Sequence, residues 1–163
     1  MPEKKSCQAP RNQRLRLDLY ASSNCVYFIT IHARLDQRPF IREDLNRLVL
    51  DVLREEEDRQ KCDVYTYCLM PDHLHFLVSP RLDGISVLTF TDRYKGKTTN
   101  RSWGLGWRGR LWQPRSYDHI VRTDENLVTI ADYIRSNPVR KGLVEYIDDW
   151  PWSGQFNDLR TWK

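Results

Sequence analysis

The stretch Met70-Pro71-Asp72-His73-Leu74-His75-Phe76-Leu77-Val78 decides how the chain is read. Side chains in a strand alternate between faces, so His73 and His75 share one face while Leu74 and Phe76 point into a core. Immediately upstream, Val64-Tyr65-Thr66-Tyr67 is rich in β-branched and aromatic residues and predicts a second strand over 63–69. Met70-Pro71-Asp72 is too short to be more than a tight connection, so the two strands form an antiparallel hairpin. Two imidazoles on one strand face are half of a metal site. By spacing alone they are equally a pair of packed side chains.

Working outward, Cys25-Val-Tyr-Phe-Ile-Thr-Ile-His32 predicts an earlier buried strand over 24–32. Leu45, Leu48, Val49, Val52 and Leu53 fall at three- and four-residue spacing and predict a helix over 41–60. Its run Glu55-Glu56-Glu57-Asp58 reads as a solvated end. Asp83 or Ser86 can cap a second helix reaching about Thr99. The glycine-rich stretch 101–110 reads as a flexible basic loop. Residues 111–122 read as an edge strand, because Pro114 cannot serve a central one. Thr123, followed by Asp124 and Glu125, starts a last helix with Leu127, Ile130, Ala131 and Ile134 on its buried stripe. Pro138 ends or kinks it. The order β-α-β-β-α-β-α is an α+β fold: a ferredoxin-like βαββαβ antiparallel sheet with an added C-terminal helix. Three regions follow: a basic N-terminal arm (1–23), the folded domain (24–144) and a tail (145–163) that packs back on it.

The chain has 163 residues, 40% hydrophobic and 29% charged, as expected of one globular domain. No apolar run approaches the roughly 20 residues of a membrane helix, and the polar, basic N-terminus has no secretory h-region. Cys7, Cys25, Cys62 and Cys68 lack CxxC spacing and read as free thiols in a reducing compartment. The net charge of +4 is unevenly distributed. Between Arg93 and Arg115 lie Arg93, Lys95, Lys97, Arg101, Arg108, Arg110 and Arg115 with no acid, interleaved with Tyr94, Trp103, Trp107 and Trp112. Arg14 and Arg16 add charge in the arm. Cations track a phosphate backbone and aromatic faces stack on unpaired bases, so this stretch points to nucleic acid. The alternative is a solvated basic loop with its tryptophans in the core.

On the last helix, Tyr133 and Asn137 are four residues apart and so share a face. An amide oxygen suits a hard divalent ion, and imidazole suits Mn²⁺ better than Mg²⁺. His73, His75 and Asn137 could hold such an ion with Tyr133 beside it. Each residue taken singly is as readily packing. A zinc site built from Cys68 with the two histidines is a further, weaker alternative.

Four blocks sharpen the reading: Tyr67-Cys-Leu-Met-Pro-Asp-His73-Leu-His75-Phe-Leu-Val; Leu111-Trp-Gln-Pro-Arg115 with Tyr117-Asp-His119; Tyr133-Ile-Arg-Ser-Asn137-Pro-Val-Arg-Lys-Gly142-Leu-Val; and Trp150-Pro-Trp-Ser153. In order and spacing they resemble the single-tyrosine HUH transposases, most closely the REP-associated tyrosine transposases. The resemblance implies a metal-dependent single-stranded DNA endonuclease and strand transferase that binds hairpins of REP type. It implies His73, His75 and Asn137 as ligands to Mg²⁺ or Mn²⁺, and Tyr133 as the nucleophile that forms a 5′-phosphotyrosine. It also implies a cytoplasmic, nucleoid-associated bacterial protein, acting as a monomer or as a helix-swapped homodimer. His119 and Trp112 join the cations as expected DNA contacts. Gly154 departs from the frequent serine at its position. The competing function is a non-catalytic ferredoxin-like protein that binds single-stranded nucleic-acid hairpins.

Overall fold

The structure is a computed structural model that describes residues 17–122 and 125–162. The strands are β1 (Val26–His32), β2 (Cys62–Met70), β3 (His73–Pro80), β4 (Tyr117–Val121) and β5 (Ser153–Gln155). The helices are α1 (Glu43–Gln60), α2 (Val87–Trp103), α3 (Leu127–Arg135) and α4 (Asn137–Arg140). One five-stranded antiparallel sheet runs β4-β1-β3-β2-β5. The first four strands have the ferredoxin-like order, with β3 inserted between β1 and β2, which α1 connects.

Alternation along the strands produces two faces. Tyr27, Ile29 and Ile31 of β1 meet Leu74, Phe76 and Val78 of β3 in one core with Leu45, Val49, Val52 and Leu53 of α1 and Phe90 and Tyr94 of α2. The other face buries Val26, Cys68, Met70, Leu77 and Val121 under Ala131 and Ile134 of α3. A bulge in β2 between Val64 and Tyr67 lets Tyr65 and Cys68 reach this same face despite their odd spacing. His73 and His75 lie on the α3 face by the same alternation.

Several boundaries correct the sequence reading. Ser86 is the residue that caps α2, accepting from Leu88 N and Thr89 N, while Asp83 instead accepts from Ser23. The helix α2 continues to Trp103, because the hydroxyls of Thr98 and Ser102 bond back to its own carbonyls and Arg101 is tied to Glu55. The fourth strand shortens to Tyr117–Val121: Trp112 makes only an isolated bridge to Ala33, and Pro114 lacks the N–H a ladder needs. Thr123 lies outside the described residues, and α3 is capped by Asn126, which accepts from Val128 N and Thr129 N. Glu125 sits before that cap and accepts from Arg122 N.

The acidic run on α1 is not a solvated end. Glu56 and Glu57 are buried, Glu55 and Glu56 pair with Lys97, and Asp58 pairs with Arg81. Glu57 accepts from Val64 N and from Asn157 Nδ2 in the tail, and burial holds its carboxyl above the usual range.

The tail closes the sheet. Trp150 Nε1 donates to Leu69 O at 3.0 Å, Leu69 N donates to Trp152 O at 2.8 Å, and β5 pairs with β2. A Cβ at Gly154 would stand 2.7 Å from Tyr67 Oη, which accounts for glycine at that position. Tyr20, within the stretch 1–23, is buried in the main core, and residues 1–16 lie outside the described residues. Cys62 and Cys68 are free and buried, but Cys25 is disulfide-bonded, which corrects the reading of all the cysteines as free thiols. Cys7 lies outside the described residues.

Candidate metal centre and nucleic-acid interface

The centre is built on the β3 end of the hairpin. His75 faces Thr30 on β1, and Thr30 Oγ1 lies 2.8 Å from its Nδ1. Asp72 Oδ1 lies 2.6 Å from His73 Nδ1. With both Nδ1 atoms engaged, the two Nε2 atoms turn toward each other and stand 3.0 Å apart. Two donors each ~2.1 Å from one ion and at right angles to each other are separated by ~3.0 Å. The pair therefore fits two adjacent positions around a divalent cation.

Electrostatics favours the same use. Burial pushes the His75 imidazolium form down to about 3, and the neighbouring His73 adds to it. Burial also lowers His73, against the opposing pull of Asp72. Both rings are neutral near pH 7, the form that ligates metals. Burial works to raise Asp72, but its bond to His73 overcomes this and leaves the carboxyl below its ordinary range. His32, exposed at the end of β1, places its ring 5.3 Å from that of His73.

The third polar group comes from α4. Asn137 is buried, and its Nδ2 lies 3.4 Å from His73 Nε2. A half-turn of the amide exchanges Nδ2 for Oδ1, the atom a cation would take. Among the described residues no three His, Cys, Asp or Glu side chains are arranged so as to hold a metal ion by themselves. Cys68 pairs in register with His75, and burial raises its thiol to about 12.

Tyr133 and Asn137 do not share one continuous helix. Pro138 has no N–H to give Ile134, the helix is interrupted at Ser136, and α3 and α4 are separate. Asn137 turns inward to His73. Tyr133 is 54% exposed on α3. Arg140, which the sequence did not single out, holds it: the guanidinium lies 3.8 Å over the ring and donates to Tyr133 O and to Ser136 Oγ. Thr30 was equally invisible, since nothing in a run of β-branched residues marks the one beside a histidine. Asp72 carried a signal, being next to His73.

The expected DNA contacts divide. Arg93, Arg108, Arg110 and Arg115 are exposed. Lys95 is half-buried and donates to Pro114 O and Ser116 Oγ. Lys97 and Arg101 are engaged by Glu55 and Glu56. Trp112 is buried, with Nε1 on Thr98 Oγ1, and so presents no stacking face. His119 Nε2 lies 3.0 Å from Glu125 Oε1, on the same sheet face as His75. Arg14 and Arg16 lie outside the described residues.

A ferredoxin-like sheet with converging imidazoles on its α3 face is the frame in which the family match falls, and that family is one of DNA-processing enzymes. The chain belongs to the IS200-like transposase family, whose sequence profile matches residues 21–137. It is 26% identical over 151 residues to a Haemophilus influenzae protein named, provisionally, as a REP-associated tyrosine transposase, covering 83% of this chain and 82% of that one. It is 25% identical over 134 residues to the REP-associated tyrosine transposase of Escherichia coli K12, covering 82% and 78%. A solved REP-associated tyrosine transposase bound to a REP hairpin has the same fold, with TM-score 0.71 and 21% identity over 88% of this chain and 82% of that one. A transposase-like protein of Deinococcus radiodurans follows at TM-score 0.52 and 18% identity, covering 85% and 98%. No helix among the described residues is long and apolar enough to cross a membrane.

Proposed function

We propose that this chain is a metal-dependent endonuclease and strand transferase acting on single-stranded DNA hairpins of REP type. The observation that carries this is the convergence of His73 and His75 through Nε2, 3.0 Å apart, with the Asn137 amide beside them. The hairpin substrate is supported by the relative solved with one.

His73 and His75 through Nε2, and Asn137 through its amide oxygen, would hold Mg²⁺ or Mn²⁺. When bound, such an ion polarises a phosphate oxygen and orients the scissile bond. Asp72 and Thr30 keep both imidazoles in the tautomer that leaves Nε2 as acceptor. Tyr133 Oη attacks phosphorus, forming a Tyr–O–P bond on the 5′ side. The bond from phosphorus to the 3′ oxygen breaks, the phenol proton is lost, and the departing oxygen gains a proton as a 3′-hydroxyl. A phosphodiester replaces a phosphodiester, so the reverse attack by another 3′-hydroxyl rejoins strands without ATP. Arg140, stacked on Tyr133, orients the ring and brings positive charge to the incoming phosphate. Asn137 approaches the histidines of its own chain, which supports a site that one monomer can assemble. Acting on chromosomal single strands places the protein at the bacterial nucleoid.

The test is Tyr133→Phe. Hairpin binding survives, and the Mn²⁺-dependent covalent adduct on a denaturing gel disappears. An adduct that persists in this variant refutes Tyr133 as nucleophile. Hairpin binding by the unaltered protein with no adduct under any divalent ion leaves a non-catalytic binder.

A further inference from the structure

The basic stretch is reorganised by folding, and what remains available is concentrated in one place. The C-terminal half of α2 and the segment 110–114 enclose a cleft of about 460 Å³, within the size range of small-ligand sites. Its walls carry Trp103, Arg110, Lys95, Asn100, Gln113 and Asp92. Trp103 is 52% exposed, yet its indole is fixed because Nε1 donates to Gly109 O at 2.9 Å. An indole held flat and open is a stacking platform that costs little ordering on binding. Arg110 is exposed and engaged in no ion pair among the described residues. Lys95 uses two contacts on Pro114 and Ser116, and an ammonium has three donors. Asn100 and Asp92 supply donors and acceptors that read a base edge, and Gln113, whose Nε2 donates to Ala33 O at 2.9 Å, offers its amide oxygen.

The position matters as much as the chemistry. Gln113 N donates to His32 O at 2.8 Å, and the His32 ring lies 5.3 Å from that of His73. The segment that forms one wall of the cleft is thus hydrogen-bonded to the end of β1, whose His32 ring neighbours His73.

We infer that this cleft is a nucleobase subsite for an unpaired nucleotide of the DNA strand that reaches the histidines. Trp103 stacks on the base, Arg110 and Lys95 meet its phosphates, and Asn100, Gln113 and Asp92 contact its edge. The inference rests on the single-stranded DNA reading above and assigns where the unpaired flank of a hairpin is held. A base attached to the strand and a free nucleotide share this chemistry, and the test separates them.

Affinities for a fluorescein-labelled hairpin carrying short single-stranded flanks, and for the same hairpin made blunt, are measured by anisotropy over a matched series of salt concentrations in the Tyr133→Phe protein. The flanked hairpin binds tighter. Trp103→Ala removes roughly 5- to 150-fold of that advantage, the range for one stacked base, and leaves blunt-hairpin affinity unchanged. Trp103→Phe restores most of it, and Arg110→Ala lowers it with a shallower salt dependence. Melting temperatures of the exposed-site variants confirm folding. A flank advantage that Trp103→Ala and Arg110→Ala leave intact overturns the subsite. So does displacement by deoxynucleoside monophosphates with no flank advantage, which makes the cleft a free-nucleotide site. The adduct assay with Tyr133 intact reports separately on the endonuclease reading, so either can fail alone.

Discussion

Replacing Thr30 by Val isolates the support of one ligand from the ligand itself. The two side chains have nearly the same shape, and both suit a strand. Thr30 is 5% exposed, and its hydroxyl stands 2.8 Å from His75 Nδ1. The substitution leaves that buried nitrogen without its partner, at a cost of about 1–3 kcal/mol in stability. It also frees the imidazole to place its proton on Nε2, the atom turned toward His73. Loss of such a supporting contact typically weakens metal binding by about 10- to 100-fold, or roughly 1.4–2.7 kcal/mol. Calorimetric titration with Mn²⁺ in the Tyr133→Phe background measures this without turnover, and a thermal melt run in parallel measures the stability term. An unchanged Mn²⁺ affinity alongside the expected loss of stability refutes the reasoning. Thr30 would then serve packing alone, and the Nε2 convergence would not need it.

Three further outcomes follow from the packing. His75 titrates near 3 when folded and near 6.5 when unfolded, so the unfolded chain binds more protons between those values. Stability consequently falls as pH drops from about 6.5 toward 3, by up to about 1.4 kcal/mol per pH unit for this group; His75→Gln flattens the denaturation profile in that window, and an unchanged slope counts against the shift. Gly154→Ala drives a Cβ to 2.7 Å from Tyr67 Oη and costs about 1–3 kcal/mol by chemical denaturation, part of it recovered in combination with Tyr67→Phe. Lys97→Ala strips the buried Glu56 of its closest cation, 2.6 Å away, while Gln60 still donates to it, so the melt drops by about 1–3 kcal/mol. Its effect on hairpin affinity at matched folding is smaller than that of Arg110→Ala, and an equal loss would mean that Lys97 leaves Glu56 to meet DNA.

Periodicity was enough to read the hairpin that presents the histidines and the helix α1. Alternation over Leu74 and Phe76, and the three- and four-residue stripe of α1, each report burial of one face. The misreadings share a physical cause, namely long-range pairing. Glu55 and Glu56 looked solvated because the cations they bind lie about forty residues later on α2. Trp112 looked like a stacking residue because its local neighbours are basic, yet its partner Thr98 lies inside the core. The strand β5 has three residues and follows a proline, so only its pairing with β2 defines it. The i,i+4 spacing of Tyr133 and Asn137 held in number but not in geometry, because Pro138 divides the helix between them. The approach of Asn137 to His73 depends on how α3 and α4 dock on the sheet, and no local pattern encodes that.

The placement of β3 at the middle of the sheet has a bearing on how the site comes apart. Its amides are locked by β1 on one side and β2 on the other, so hydrogen exchange there should require opening of the whole domain. The nine residues of α3 rest on the sheet through Ala131 and Ile134, with Leu127 and Ile130 only partly buried beside them, and short peripheral helices open at far lower free energy. Warming thus separates the two halves of the site in a fixed sequence. On the proposed function, the helix that carries Tyr133 loosens while the strand that carries His73 and His75 is still intact, and cation affinity is expected to outlive formation of the covalent link.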